Sequence, residues 1–427
     1  MSINPFTFGN PIRDPSRFFG RSQEIRQVVS RLLSSAHEST SIVGERRMGK
    51  TSLLDHLAHP DVAPSLGLTP DRYCLVYLDF QGLTDITPGR FWQRAISKMA
   101  RSSCEPDLVA ELKQAAGQSE FDLFDLEDLF DLVTGRGVHV VLLLDEFEYV
   151  TQNPNFGADF FGGLRALAIH HGLSLVPATR RELVDLCHSD EIKGSPFFNI
   201  FANVVLRPFA GDETAELIRG HVASTDLSIT PQEEAFLARL SGGYPFFIQM
   251  AGYYWVEGKL RGLAEAALEA FAAREFDQQS DSHFTYLWSH CSDSEKITLL
   301  CVLGLNRHKP SKTNSPTLPN LVRLHPRAQH DANSLTKRGL LHEAQDTYSL
   351  FSPSFESWIS REITAPAEDQ ESPSSVDGWL AEGGRERLEP VKGALPRFKR
   401  KYWPIVGEVI KELSFELIAG VALSKLI

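Results

Sequence analysis

The 427-residue chain is poor in cysteine. Its five cysteines, Cys74, Cys104, Cys187, Cys291 and Cys301, are odd in number and include no Cys-x-x-Cys pair. That spacing indicates neither a disulfide framework nor a cysteine zinc site, and a reducing, cytoplasmic setting is expected. Residues 1–14 lack a basic start followed by an apolar run, so no secretory signal is expected. Positive charge is also short. Lys plus Arg number 43 against 55 Asp plus Glu, a net charge of −12. Such a balance opposes non-specific attraction to nucleic acid, and a DNA partner is expected only if a local basic patch exists. After residue 363 there is no self-similar period, so a sensor built of repeats is not visible.

The remaining composition is ordinary, with 42% apolar and 23% charged residues, so the bulk is neither disordered nor fibrous. The length allows two or three domains at about 100 to 200 residues each. Between 41 and 210, short apolar runs alternate with helical patterns, as in βα units. Strands are expected near 41–43, 74–79, 138–145, 173–179 and 203–206. Their Val, Ile and Leu content suits parallel strands buried on both faces. The fold class is α/β, a parallel five-stranded sheet over 1–210.

From 211 the apolar residues recur at helical spacing, which predicts a helical lid over 211–280. Residues 281–363 read as helices closed by a hairpin of 340–342 and 348–351, the order of a winged helix. A Pro, Ser, Gly and Glu-rich stretch predicts a flexible linker over 364–391. A tail module over 392–427 follows. Between 368 and 390 seven acids face two bases, whereas 392–427 carries seven bases and three acids.

The chemistry concentrates in two places. Gly44-Glu45-Arg46-Arg47-Met48-Gly49-Lys50-Thr51 follows Ser41-Ile42-Val43 and leads into Ser52-Leu53-Leu54 at helix spacing. A loop of this kind between a strand and a helix turns several backbone N–H groups toward a phosphate. Lys50 supplies a point charge for the β and γ phosphates, Thr51 offers its hydroxyl to Mg²⁺, and the helix dipole favours the anion. The expected cofactors are therefore ATP or ADP with Mg²⁺.

The second place is Val138-His139-Val140-Val141-Leu142-Leu143-Leu144-Asp145-Glu146. A carboxylate beside so apolar a strand needs a compensating cation. Asp145 is expected to hold Mg²⁺, and Glu146 to orient and deprotonate an attacking water. Glu148 stands as the other carboxylate, read as an acidic cap on the next helix.

One strand, 74–79, separates the loop from this pair in sequence, an order that resembles the additional-strand branch of P-loop ATPases. There the next strand ends in a polar residue that senses the γ-phosphate. Ala178-Thr179-Arg180-Arg181 puts Thr179 at that position, with Arg180 as a charge-sensing candidate; Thr179 as a helix N-cap before Glu182 stands beside this reading. The segments Asn4-Pro5-Phe6, Phe18-Phe19-Gly20-Arg21-Ser22-Gln23-Glu24, GERRMGKTSLL, LLLDEFEYV, SPFFNIF and SGGYPFFIQMAG together resemble the AAA-like, STAND-type ATPases of bacteria. The resemblance covers about 4–363. It implies that Gly20 and Arg21 lie beside the adenine, and that Gly243 and Pro245 join the lid to the nucleotide. It also implies a closed, nucleotide-bound monomer that oligomerises on exchange and passes a signal to a protein effector or sensor, and it suggests bacterial defence. A phosphate-contacting histidine of some relatives is not assigned among His325, His330 and His342.

Other signals are weaker. His170-His171 and the pair His283 and His290 read as surface or core histidines, and Phe160-Phe161, Phe197-Phe198 and Phe246-Phe247 as core. Residues 402–427 would form a helix about 39 Å long at ~1.5 Å per residue. Glu408, Lys411, Glu412, Glu416 and Lys425 interrupt it, so an amphipathic helix is expected rather than a membrane span. It could meet a partner, its own domain or, behind the basic 397–401, a membrane surface. The competing reading is a DNA-directed helper ATPase that uses the winged helix.

Overall fold

The structure is a computed structural model that describes residues 4–102, 105–189, 193–194, 196–307 and 315–363. The expected linker over 364–391 and tail over 392–427 lie outside the described residues. The chain divides into two compact units. In the described residues, one comprises 8–224 with 244–246, the other 4–7 with 225–243 and 247–363.

The first unit is built on a five-stranded parallel sheet. Its strands are β1 (Thr40–Gly44), β2 (Tyr73–Asp79), β3 (His139–Asp145), β4 (Leu173–Thr179) and β5 (Ala202–Leu206). The order is β2-β3-β4-β1-β5. Every residue of β1, β3 and β4 is buried. This is the two-sided burial their near-continuous apolar composition dictates. β4 lies between β1 and β3, so the strand inserted in space is not the one inserted in sequence. β2 pairs with β3 in a register that sets Asp79 beside Asp145.

The helices of this unit are α1 (Ser22–Leu32), α2 (Lys50–Ala58), α3 (Pro88–Ser102), α4 (Pro106–Ala115), α5 (Leu123–Thr134), α6 (Glu148–Thr151), α7 (Ala158–His170) and α8 (Gly211–Val222). Phe91, Trp92, Phe130, Phe161 and Phe197 form a buried aromatic core against β2 and β3. Phe160 and Phe198 are partly buried against the same core. His171 pairs with Asp131 at 2.7 Å and lies 3.6 Å from Glu127, a histidine held by α5. The sequence shows no carboxylate near it because Asp131 lies 40 residues away and Glu127 further still.

The second unit is mainly helical. Its helices are α9 (Pro231–Ser241), α10 (Pro245–Leu260, from residue 247 onward), α11 (Glu265–Ser289), α12 (Asp293–Arg307), α13 (Leu318–Leu324), α14 (Ala328–Lys337) and α15 (Pro353–Trp358). A reciprocal capping box between Thr230 and Glu233 starts α9. Gly242 stops it at φ +59, where a Cβ would stand 2.2 Å from the Phe351 carbonyl oxygen. Only glycine fits there.

The antiparallel hairpin β6 (Leu341–Ala344) and β7 (Thr347–Leu350) follows three helices. Its strands begin and end differently from the sequence expectation. Gln345 and Asp346 both take positive φ, which makes a two-residue turn that lets pairing run up to Ala344 and Thr347. His325 is buried, with Nε2 2.8 Å from the Ser294 hydroxyl and 3.0 Å from Asp331 Oδ2. His330 and His342 are exposed. His283 packs against Phe247 and His290 stacks on Tyr286. Among the described residues no helix is long and apolar enough to cross a membrane.

Candidate nucleotide site

The site forms where β1, β3 and β4 end on the same side of the sheet. Residues 44–49 leave β1 as a loop whose conformation needs two left-handed positions, Arg47 at φ +73 and Gly49 at φ +88. Nothing stands within 4 Å of where a Gly49 Cβ would be. The space beside the start of α2 is therefore open, and the first-turn N–H groups of a helix are donors without intrahelical partners. Lys50 is 5% exposed, and its ammonium donates to the carbonyls of Gly44 at 2.9 Å and Glu45 at 3.4 Å. The lysine thus folds back across its own loop.

The flanking residues fix this loop from behind. Met48 is fully buried, and its carbonyl accepts from Arg21 Nη2 at 3.0 Å. Arg21 also pairs with Glu24 at 2.9 Å and lies 4.5 Å from the Phe209 ring centroid. Burial pulls its guanidinium below the usual value, while Glu24 and Glu213 oppose that shift. Gly20, at φ +71, leaves a Cβ position 3.0 Å from the Phe209 ring. The Gly20-Arg21 segment is therefore brought against the loop. Arg47 lies 4.4 Å from the Phe246 ring centroid, while Arg46 is exposed. Glu45 is buried and caps its neighbour by accepting from the Arg46 N–H at 3.1 Å. Ser52 accepts the Ile12 N–H at 3.0 Å, so this hydroxyl already holds the N-terminal segment.

Opposite the loop stand the carboxylates. Asp145, 2% exposed, accepts from the Tyr77 hydroxyl on Oδ2 at 3.0 Å and from the Glu146 N–H on Oδ1 at 3.0 Å. Burial raises its pKa, and the hydrogen bonds from Thr51 and Tyr77 with the Lys50 charge work against that rise. Glu146 takes φ +51, a conformation unusual outside glycine and common at functional sites. Burial first, then the Glu148 charge, pushes it up to about 7, with Lys50 opposing. A carboxyl poised there is suited to accept a proton at neutral pH.

Glu148, also 2% exposed, begins α6 and pairs with Arg180 at 2.8 Å. Thr179 ends β4 beside Val43, and its hydroxyl donates to the Arg181 carbonyl at 2.7 Å. The capping position before the next short helix is Glu182, with no side-chain cap, so Thr179 is not an N-cap.

The structure thus brings together Gly20, Arg21, residues 44–52, Asp145, Glu146, Thr179 and Arg180. Pro245 belongs to this unit and Gly243 to the other, where Gly243 takes φ +78. Oxygen donors on Thr51 and Asp145 that already touch one another suit Mg²⁺, which takes one or two protein oxygens and completes its shell with phosphate and water. Among the described residues no group of three His, Cys, Asp or Glu could hold a metal ion.

Sequence reasoning missed Tyr77, Asp55 and the Phe209–Glu213 support. Asp55 is raised by burial and by Asp145 and Asp79, with Arg13 3.6 Å away opposing. A tyrosine two residues before an aspartate in an apolar run was the one available sign of the first.

A loop of this geometry after β1, an acidic pair at the end of β3 and the strand order above define a P-loop nucleoside triphosphatase. A family model described as Novel STAND NTPase 2 matches residues 20–306, and the chain belongs to this family. Among solved structures, the Walker-type ATPase PABY2304 of Pyrococcus abyssi is similar at 16% identity, with a TM-score of 0.51, over 82% of this chain and 98% of that one. The ORC2 protein of Aeropyrum pernix, in its ADPNP-ADP complexes, is similar at 15% identity with a TM-score of 0.49, over 79% and 91%. At these identities the likeness concerns the fold alone. No curated protein matches the chain.

Proposed function

We propose that this NTPase is an ATP switch, slow in hydrolysis, whose nucleotide state governs oligomerisation and the release of its C-terminal tail toward a protein effector or a membrane surface. The observation that supports it best is the pairing of Lys50, bound to loop carbonyls, with a Glu146 carboxyl held near neutrality. Residues 44–51 bind the phosphates, and Asp145 with Thr51 would hold Mg²⁺, which would supply charge to neutralise the phosphates. Glu146 accepts a proton from water as the water oxygen bonds to the γ phosphorus; the bond from that phosphorus to the bridging oxygen breaks, and ADP leaves. Thr179 and Arg180 lie at the end of β4 to sense the γ-phosphate, Arg180 through its bond to Glu148. Gly20, Arg21 and Pro245 serve the adenine side. The hairpin β6–β7 behind three helices serves as a winged helix, and the family resemblance carries the suggestion of bacterial defence.

Sizing of the purified protein with ADP, ATP and a non-hydrolysable analogue tests this reading. A larger species with ATP or the analogue, and a monomer with ADP, is the expected result. One size in all three conditions, with nucleotide bound, would remove the switch and leave the NTPase.

A further inference from the structure

The helix α3 carries a feature that the nucleotide site does not use. One side buries Phe91, Trp92, Ala95, Ile96 and Met99. Along another side run Arg90, Arg94, Lys98 and Arg101, at steps of four, four and three residues, which place them in one stripe. From first to last the stripe is about 16 Å long at ~1.5 Å per residue. It borders a cavity of about 900 Å³, whose other walls are the loop 82–86 and Ala116.

These cations lack acidic partners. Among the described residues none of the four is in an ion pair, whereas Arg136 reaches both Glu105 and Glu111. Arg90 reaches only the Gln93 amide oxygen, at 3.5 Å, and Lys98 donates to the Tyr77 carbonyl at 2.5 Å. The acids that face them are Asp85 in the loop and Asp79 at the end of β2. Burial and the charges of Arg94 and Arg101 draw Lys98 below its usual value, and Asp79 opposes them. A row of like charges in a chain of net charge −12 is relieved by an anion from outside.

The length of the row selects the anion. A single phosphate meets one or two of these side chains, whereas a chain of phosphates meets all four. Among the described residues no aromatic ring lines the cavity, so they offer no platform on which bases would stack. We infer that the groove along α3 binds the phosphodiester backbone of a nucleic-acid strand, without reading its bases. The net acidity acts at long range, and the local field of the stripe governs contact. The inference goes beyond the switch reading and does not depend on it.

Fluorescence anisotropy with labelled single-stranded DNA, single-stranded RNA and duplex DNA, over a series of salt concentrations, tests it. Two triple variants are compared with the unaltered protein: Arg90→Ala with Arg94→Ala and Arg101→Ala in the groove, and Arg26→Ala with Arg72→Ala and Arg207→Ala away from it. Lys98 is left in place because it also holds Tyr77. Binding of at least one of the three nucleic acids is expected, and the strongest identifies the source. The groove variant should lower the log–log salt slope by about 2 to 3, at roughly 0.7 to 0.9 per lost phosphate contact, and the distant variant should leave it unchanged. ATP affinity equal to wild type in both variants shows that they fold, and the single Arg94→Glu change serves if the triple does not. The inference is overturned if no oligonucleotide binds at low salt or if both triple variants weaken binding equally. Recruitment by anionic vesicles without any binding to oligonucleotides would overturn it as well.

Discussion

Two regions of the sheet unit carry opposite charge, and Tyr77 touches both. At its hydroxyl lies Asp145, in an acidic group with Asp55, Asp79, Glu146 and Glu148; at its carbonyl lies Lys98, in a row with Arg90, Arg94 and Arg101. In the first region burial raises Asp55, Asp145 and Glu146, and in the second it lowers Lys98. Both shifts follow from burial, which penalises the charged form. Such clusters, set in clefts, are candidate sites for ligands of the opposite sign. The acidic region differs in one respect, because it already holds a cation of its own in Lys50. Formal net charge, an average over both regions, describes neither.

The largest expected effect falls on the acidic side. Glu146→Gln should keep ATP and reduce single-turnover hydrolysis by about 10²- to 10⁴-fold, since the amide keeps the shape and accepts no proton. Hydrolysis at the wild-type rate would transfer the base role to Glu148. Next, Lys50→Ala removes a charge-assisted contact worth about 1.5 to 3 kcal/mol, roughly 10- to 150-fold in ATP affinity by calorimetry. An unchanged affinity would show that the phosphates bind elsewhere, and the comparison of the two regions would lose its first member.

Tyr77→Phe is expected to have a smaller effect, because it removes one hydrogen bond to Asp145. A loss of about 0.5 to 1.5 kcal/mol, at most ~13-fold, should show in ATP affinity with Mg²⁺ and vanish when a chelator is present. An equal loss in both conditions would make Tyr77 a packing residue.

The smallest effect concerns pH. The folded pKa of Glu146 is about 7 against an ordinary 4.5, so folding favours its protonated form. Its contribution to stability is full below 4.5 and is lost as the pH rises from there through 7. In metal-free protein Glu146→Gln should therefore raise Tm relative to wild type near pH 8, and the difference should shrink toward pH 5. A difference independent of pH would mean that the carboxyl is not desolvated.

Much of this was legible in the sequence, for local reasons. A loop rich in glycine between a strand and a helix, and an acidic pair ending an apolar strand, each lie within ten residues of chain. Backbone conformation and burial period are local properties, so Gly44 to Thr51 and Asp145-Glu146 could be singled out as candidate site residues without a structure. The hairpin was legible too, though its turn was tighter than expected because Gln345 and Asp346 both adopt a left-handed conformation.

What only the tertiary structure decided involves residues distant in sequence. The Tyr77 bond to Asp145 spans 68 residues, Arg180 to Glu148 spans 32, and Arg21 to Met48 spans 27. Strand order sets these distances, and β4 inserts between β1 and β3 by a crossover that no local pattern records. The basic row lies within one helix and was readable in principle. Its significance was not, because a charge stripe on a helix is commonly a solvated face. Only the packing of α3 beside loop 82–86 shows that the four cations border a cavity, and among the described residues no acid forms an ion pair with them. Sequence alone fixed which groups this chain carries and how its backbone bends; the fold decided which charges meet, because electrostatic energy depends on separation and burial rather than on order along the chain.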